Sequence, residues 1–384
     1  MELIVGNDIG NSETKAVIND ILIKQPSVTK RLTRKPDFTD LDEETNVAQL
    51  LNNLLVHVSS NAIKRDGRFF VGERANVSAK NENMNINLGS KYTDDIPIVM
   101  SLSMLSARAI QLHYHENKEV PSTLEVDVEM VTAIPASEYS KAKAAQMEKK
   151  FIDNEHIVTV YVGAKSVTVK LKFNFVKVTQ EGVPALYAFI EADGAIMKYY
   201  KRVYPNDGLM PFDLKDKKIL HADIGDGTTE YIYTKGLNPV LDACSGERRG
   251  VGHATEEAVV LLEDEVNGYA NINRQQFTSM LRDESHRLHE YAEQFMDEAS
   301  FIQSSQILED IKDKYANNAG GDVDIITVYG GGSIVFQAYL YGLLIEFAET
   351  VHCKILWVPE EFALDMNATG MGILMRKVYS KRVS

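Results

Sequence analysis

The sequence predicts an α/β fold built from two related halves, on three observations. Residues 219–233 read as two short β-strands around a glycine-bearing turn. Ile219 and Leu220 open one apolar run, Tyr231 to Tyr233 open the other, and Asp223, Gly225, Gly227, Thr228 and Thr229 lie between. Residues 3–18 repeat this grammar: an apolar strand reaches Asp8, a turn holds Gly10, Asn11 and Ser12, and a second strand starts near Lys15. Residues 323–329 form a third apolar strand, which runs straight into Gly330, Gly331 and Gly332 before a helix.

The turn residues carry a chemical reading. Glycines let the backbone turn sharply and aim its N–H groups into a common space, a nest that holds phosphate oxygens. Asp223 at its strand end suits a divalent cation reached through water. Alone, this stretch fits an ordinary tight hairpin with a surface Asp equally well. The N-terminal hairpin, with Asp8 in the same place, favours phosphate: two facing halves would grip a polyphosphate and its metal from both sides. Lys15 adds positive charge where phosphates need it, or stands as a solvated edge lysine. The glycine triplet fits neither the Gly-x-Gly-x-x-Gly nor the Walker A pattern.

The two hairpins resemble the phosphate loops of the actin, Hsp70 and sugar-kinase superfamily. Ile325-Ile-Thr-Val-Tyr-Gly-Gly-Gly-Ser resembles its adenosine motif. Within that superfamily the chain is most similar to the ParM (StbA) plasmid-segregation actins. Val131-Thr-Ala-Ile-Pro-Ala-Ser-Glu-Tyr resembles their first connecting segment and Gly370-Met-Gly-Ile-Leu the second, so the motif order covers nearly the whole chain.

The resemblance implies an actin-like ATPase fold, α/β, with two domains of mixed five-stranded sheets around a nucleotide cleft. Their expected bounds are 1–215 plus 360–384, and 216–359. It implies ATP with Mg2+ as cofactors, GTP remaining open. Asp8 and Asp223 would position the metal and its waters. Asn11, Ser12, Gly225, Gly227 and Thr228 would cradle phosphates beside Lys15, and Gly330, Gly331 and Gly332 would receive the adenosine. Glu138, in Pro135-Ala-Ser-Glu-Tyr139, would orient the attacking water, making Glu138, Asp8 and Asp223 the catalytic set. The implied role is self-association into filaments that move plasmid DNA, through a DNA-binding adaptor on the plasmid centromere. The alternatives are a non-segregating bacterial cytoskeletal actin and a sugar kinase, for which no catalytic Asp with a sugar-binding set is identifiable. A nucleotide-gated chaperone would need a long C-terminal extension.

Composition narrows the classes. With 384 residues, 44% of them apolar, the chain can bury two sizeable cores. No apolar run is long enough to span a membrane. Met1-Glu-Leu-Ile-Val lacks the basic region of a secretory signal, and Cys244 and Cys353 make no disulfide framework, so a cytoplasmic protein is expected. The formal charge of −14 disfavours direct non-specific DNA binding.

The remaining elements follow in order. Residues 28–40, polar and basic, read as a loop or an irregular edge, and 43–62 carry leucines on a face that the pattern does not place. Residues 68–74 give a strand and a turn. Residues 80–92, with Asn81, Asn83, Asn85 and Asn87, read as a surface loop. Residues 98–115 predict a helix with Leu102, Leu105, Ala109 and Leu112 on its buried stripe. Residues 126–134 form a strand ended by Pro135; Ser137 caps the next helix and Glu138 sits in its first turn. Antiparallel strands follow over 156–177, around Gly163, then a polar connector over 205–218. Glu247 and Arg248 are surface charges or weak nucleotide contacts. A long helical region covers 285–315, with one register change and solvated His286 and His289. The last helix, 372–379, packs on the N-terminal sheet.

Overall fold

The computed structural model describes residues 1–34, 36, 42–84, 91–266 and 272–383. Its contacts divide the chain into two compact units, Met1–Tyr187 with Asn367–Ser384, and Ala188–Met366.

Among the described residues, the first unit holds ten strands: β1 (Glu2–Ile9), β2 (Glu13–Ile18), β3 (Ile21–Pro26), β4 (Val28–Leu32), β5 (Leu55–Ser60), β6 (Gly67–Val71), β7 (Glu82–Asn83), β8 (Thr123–Ile134), β9 (His156–Val162) and β10 (Lys165–Gln180). They form one sheet in the order β3-β2-β1-β8-β10-β9-β5-β6-β4-β7. β8 runs parallel to both neighbours, β1 and β10. Its last residues are buried without alternation because both faces are covered. Val128 and Met130 join the core beneath helix Ile96–Asn117, and Val131 and Ala133 pack on Met371 and Met375 of helix Met366–Val383.

That last helix crosses β1 glycine on glycine. A Cβ at Gly6 would lie 2.2 Å from the Gly372 nitrogen. The helix begins well before residue 372, because Gly370 and Gly372 stand inside it as contact points: a Cβ at Gly370 would lie 1.9 Å from the Pro184 carbonyl.

In the second unit the described strands are β11 (Lys218–Ile224), β12 (Thr229–Lys235), β13 (Asn238–Pro239), β14 (Ser245–Glu247), β15 (Ile325–Tyr329) and β16 (Lys354–Trp357). Their order is β13-β12-β11-β15-β16, with β14 on β12. β11, β15 and β16 are parallel, while β11 and β12 form an antiparallel hairpin. Helices Val251–Glu265, His289–Asp313 and Gln337–Thr350 bury Ala254, Ala258, Leu262, Ile307, Leu340 and Leu344 in the same core as Ile326 and Trp357.

Several expectations need correction. The sheets have ten and six described strands, not five each. Val28–Leu32 is a strand rather than loop, since pairing with β6 buries Val28 and Thr29; residues 37–40 lie outside the described set. Glu82–Asn83 pairs with β4, so the 80–92 stretch is not all loop; Asn85 and Asn87 also lie outside the described set. Ser137 caps nothing. The Glu138 N–H returns to the Pro135 carbonyl at 3.0 Å, which makes a turn, and Ser140 caps helix Lys141–Ile152 by accepting from the Lys143 N–H at 3.2 Å. The long helix is His289–Asp313, extended by a π-helical turn at Lys314–Asn318. His286 and His289 are half-buried, each with one ring nitrogen engaged: the His286 ring accepts from the Leu288 N–H at 3.2 Å, and His289 reaches the Met280 carbonyl at 3.1 Å. Residues 188–215 pack with the second unit, where Tyr204 Oη accepts from the Ile355 N–H at 3.2 Å and Asp207 pairs with Lys354. No described helix is long and apolar enough to cross a membrane.

The crossing of helix Met366–Val383 on β1 sets a stability test. Backbone on both sides leaves no flexible side chain to yield, so Gly6→Ala is expected to destabilise the protein by about 3 kcal/mol. Denaturant unfolding measures it; an unchanged midpoint would show that the two backbones do not meet this closely.

Candidate phosphate-binding loops

In the first unit, β1 and β2 pair so that Asp8 stands opposite Lys15. Cross-strand partners share a sheet face, so the carboxylate and the ammonium stem sit side by side. Lys15 Nζ lies 3.7 Å from Glu13. The turn between the strands is held from one side by fully buried Ser27. Its Oγ donates to the Gly10 carbonyl at 2.6 Å, and its N–H donates to the Ser12 carbonyl at 2.9 Å. With its proton on Gly10, that Oγ accepts from Thr14 Oγ1 at 2.9 Å. The peptide bonds are trans. In a planar trans peptide the N–H points opposite to the C=O. The N–H groups of Asn11 and Glu13 are therefore turned away from Ser27.

Glu138 belongs to the same sheet edge. Asn7 pairs with Thr132, so β1 and β8 end together, and the turn carrying Glu138 leaves the end of β8. Glu138 Oε2 accepts from the Lys91 N–H at 3.2 Å. Lys91 forms a buried ion pair with Glu181, whose N–H donates to the Ile134 carbonyl at 2.9 Å. The β1–β2 turn with Asn11 and Ser12, and the turn with Glu138, thus both leave the carboxyl ends of the parallel strands β1 and β8, where open α/β sheets bind ligands, while Asp8 and Lys15 pair just inside that edge.

The second unit solves the same problem with a helix. The Gly225 N–H donates to the Thr228 carbonyl at 2.9 Å and closes the turn between β11 and β12. Three successive carbonyls then face the start of helix Val251–Glu265. The Val251 N–H donates to Gly225 at 3.3 Å, the Gly252 N–H to Asp226 at 2.9 Å, and His253 Nε2 to Gly227 at 2.9 Å. The first two contacts satisfy helix N–H donors that lack intrahelical partners, and the third uses a side chain. Peptide planarity again turns the opposite groups outward, here the N–H groups of Asp226, Gly227 and Thr228. Consecutive outward N–H groups form an anion-binding concavity. Arg274 Nη1, 3.4 Å from Asp226 Oδ2, ties the loop to a further helix, Arg274–Arg282.

Asp223 is the last residue but one of β11 and is buried, with Glu230 of β12 opposite and Tyr329 of β15 on the other side. The glycine triplet is built onto this strand end. Gly330 has φ +87°, and a Cβ there would lie 2.6 Å from Asp223 Oδ1; one at Gly332 would lie 2.4 Å from Ile224 Cγ2. These two glycines are therefore required by packing within the chain itself. Glu247 is engaged by Lys314 at 2.8 Å, and Arg248 is exposed.

The first strand of each hairpin thus carries one Asp near its end, Asp8 or Asp223, with Glu230 opposite the latter. Among the described residues no three His, Cys, Asp or Glu side chains converge as a metal cage. A single carboxylate suits Mg2+, which keeps several waters and takes further ligands from phosphates. Pattern reading missed Ser27, Lys91, Glu181, His253 and Arg274, because each acts from a distant segment; only the Gly250-Val-Gly-His run hinted that a helix start packs closely.

His221, two residues before Asp223, is fully buried. Its ring lies 2.8 Å from Thr327 Oγ1 and 3.2 Å from Thr234 Oγ1. Burial pushes its pKa down to about 3 from the ordinary 6.5. The unfolded chain takes up this proton below 6.5 and the folded chain does not, so the stability is present above pH 6.5 and is lost as pH falls towards 3. Each pH unit in that window costs up to about 1.4 kcal/mol. The difference in unfolding free energy between wild type and His221→Gln is expected to shrink by up to about 2 kcal/mol from pH 6.5 to 5. A constant difference in urea titrations would show that folded His221 titrates normally.

A family model described as the actin like proteins N terminal domain matches residues 6–183. No curated protein matches the sequence. Among solved structures, the actin-like protein Alp7A is 17% identical with a TM-score of 0.72, over 100% of this chain and 98% of that one. A non-polymerisable quadruple mutant of pCBH ParM is 16% identical with a TM-score of 0.66, over 98% of this chain and 100% of that one. Bacillus thuringiensis ParM with ATP is 13% identical with a TM-score of 0.60, over 99% of each chain. The chain has a mixed α/β fold of the actin-like ATPase type.

Proposed function

We propose that this protein is a Mg2+-dependent ATPase that polymerises and, in the cytoplasm, segregates plasmid DNA. The observation that carries the ATPase reading is the second loop, where three successive carbonyls are bound to one helix start and three N–H groups face the other way. Likeness to a ParM solved with ATP supports the choice of nucleotide. Asn11, Ser12, Gly225, Gly227 and Thr228 bind phosphate oxygens, Lys15 neutralises charge, and the Gly330–332 turn borders the adenosine. Asp8 and Asp223 would hold Mg2+, which when bound would neutralise charge developing on the phosphates. Glu138 orients the water that attacks the terminal phosphate.

The polymerising role draws on likeness to ParM structures, one of them described as a non-polymerisable mutant. Assembly is head-to-tail, which does not close on itself and so continues. The acidic chain would reach DNA through a basic adaptor rather than directly.

Glu138→Ala is expected to slow phosphate release about 100-fold while nucleotide affinity is kept. An unchanged rate would remove Glu138 from the chemistry. Light scattering with Mg2+-ATP, followed by electron microscopy of the same sample, should show regular filaments. Monomers that persist across protein concentration, salt and nucleotide state, with ATPase activity intact, would leave a non-polymerising ATPase.

A further inference from the structure

We infer that His253 is a positioning residue for the second phosphate loop, an inference that rests on the phosphate-binding reading above. Two of the three loop carbonyls are held by main-chain donors, the N–H groups of Val251 and Gly252, which almost any residue supplies. The third, on Gly227, is held by a side chain: His253 Nε2 at 2.9 Å. A carbonyl only accepts, so Nε2 carries the proton. This contact sets the rotation of the Gly227–Thr228 peptide, and with it the direction of the Thr228 N–H.

Charged side chains lie around the ring. His253 is the third residue of helix Val251–Glu265, and its Nδ1 faces Glu256 at 3.8 Å. Glu256 is itself 3.8 Å from Arg274 Nε, and Arg274 Nη1 contacts Asp226 Oδ2. The group thus closes on the loop from two helices. Without the imidazole donor, the Gly227 carbonyl is free to rotate towards the phosphate side and to present a partial negative charge to an anion. His253 then acts on nucleotide affinity without touching the nucleotide.

The test compares Mg2+-ATP affinity by titration calorimetry for wild type, His253→Leu, His253→Gln and His253→Asn. Thermal unfolding without nucleotide is recorded for each. Leu keeps bulk without a donor, Gln places an N–H near the position of Nε2, and Asn keeps polarity with the donor drawn back. His253→Leu and His253→Asn should each weaken binding about tenfold, and His253→Gln should restore it to within about threefold of wild type. A purely structural role would make Gln as weak as Leu, with affinity following the unfolding temperature, and that result overturns the inference. So does wild-type affinity in His253→Leu or, if that variant does not fold, in His253→Asn. If wild-type protein binds neither Mg2+-ATP nor Mg2+-GTP, the phosphate-loop reading itself fails.

Discussion

Buried backbone carbonyls must be paired, and much of the candidate site depends on how this chain pairs those of its two turns. In the second unit the partners come from a helix start, whose donors lack intrahelical acceptors. Each half of the problem solves the other. The carbonyls of residues 225–227 and the donors of residues 251–253 satisfy one another, and the outward direction of the loop's N–H groups follows from peptide planarity. The glycine triplet then seals the far side of the same strand end, because Gly330 and Gly332 let the next segment lie against Ile224.

The first unit meets the same obligation with a side chain. Ser27 stands between β3 and β4, beside the turn. Its hydroxyl and N–H take the roles that helix donors play in the second unit. The common result, N–H groups turned outward beside a strand-end Asp, arises from different partners. Likeness between the two halves is therefore a likeness of outcome at the turn, not of supporting architecture.

Strands with strong patterns were readable from sequence, β1, β8 and β11 above all, because apolar runs ending in Asp or Pro leave few alternatives. The Val28–Leu32 strand was not readable. Its lysine and arginine look like loop residues, and its buried start lies between β6 and β7. Sequence spacing after Pro135 pointed to Ser137 as the helix cap, and the structure places the cap at Ser140. The turn that returns Glu138 to Pro135 selects Ser140. That choice places Glu138 ahead of the helix, where the Lys91 backbone meets it from a segment 47 residues away.

By itself the sequence determined the strand–turn–strand units, the carboxylate at the end of each first strand, and the glycines that allow tight passage. These are local properties, set by side-chain period and backbone freedom over a few residues. Tertiary structure alone decided which way the turn peptides face. That direction is set by donors far along the chain, 17 residues away for Ser27 and Gly10 and 26 for His253 and Gly227. A hydrogen bond is a matter of distance and angle, so no local pattern encodes it until the strands and helices have packed.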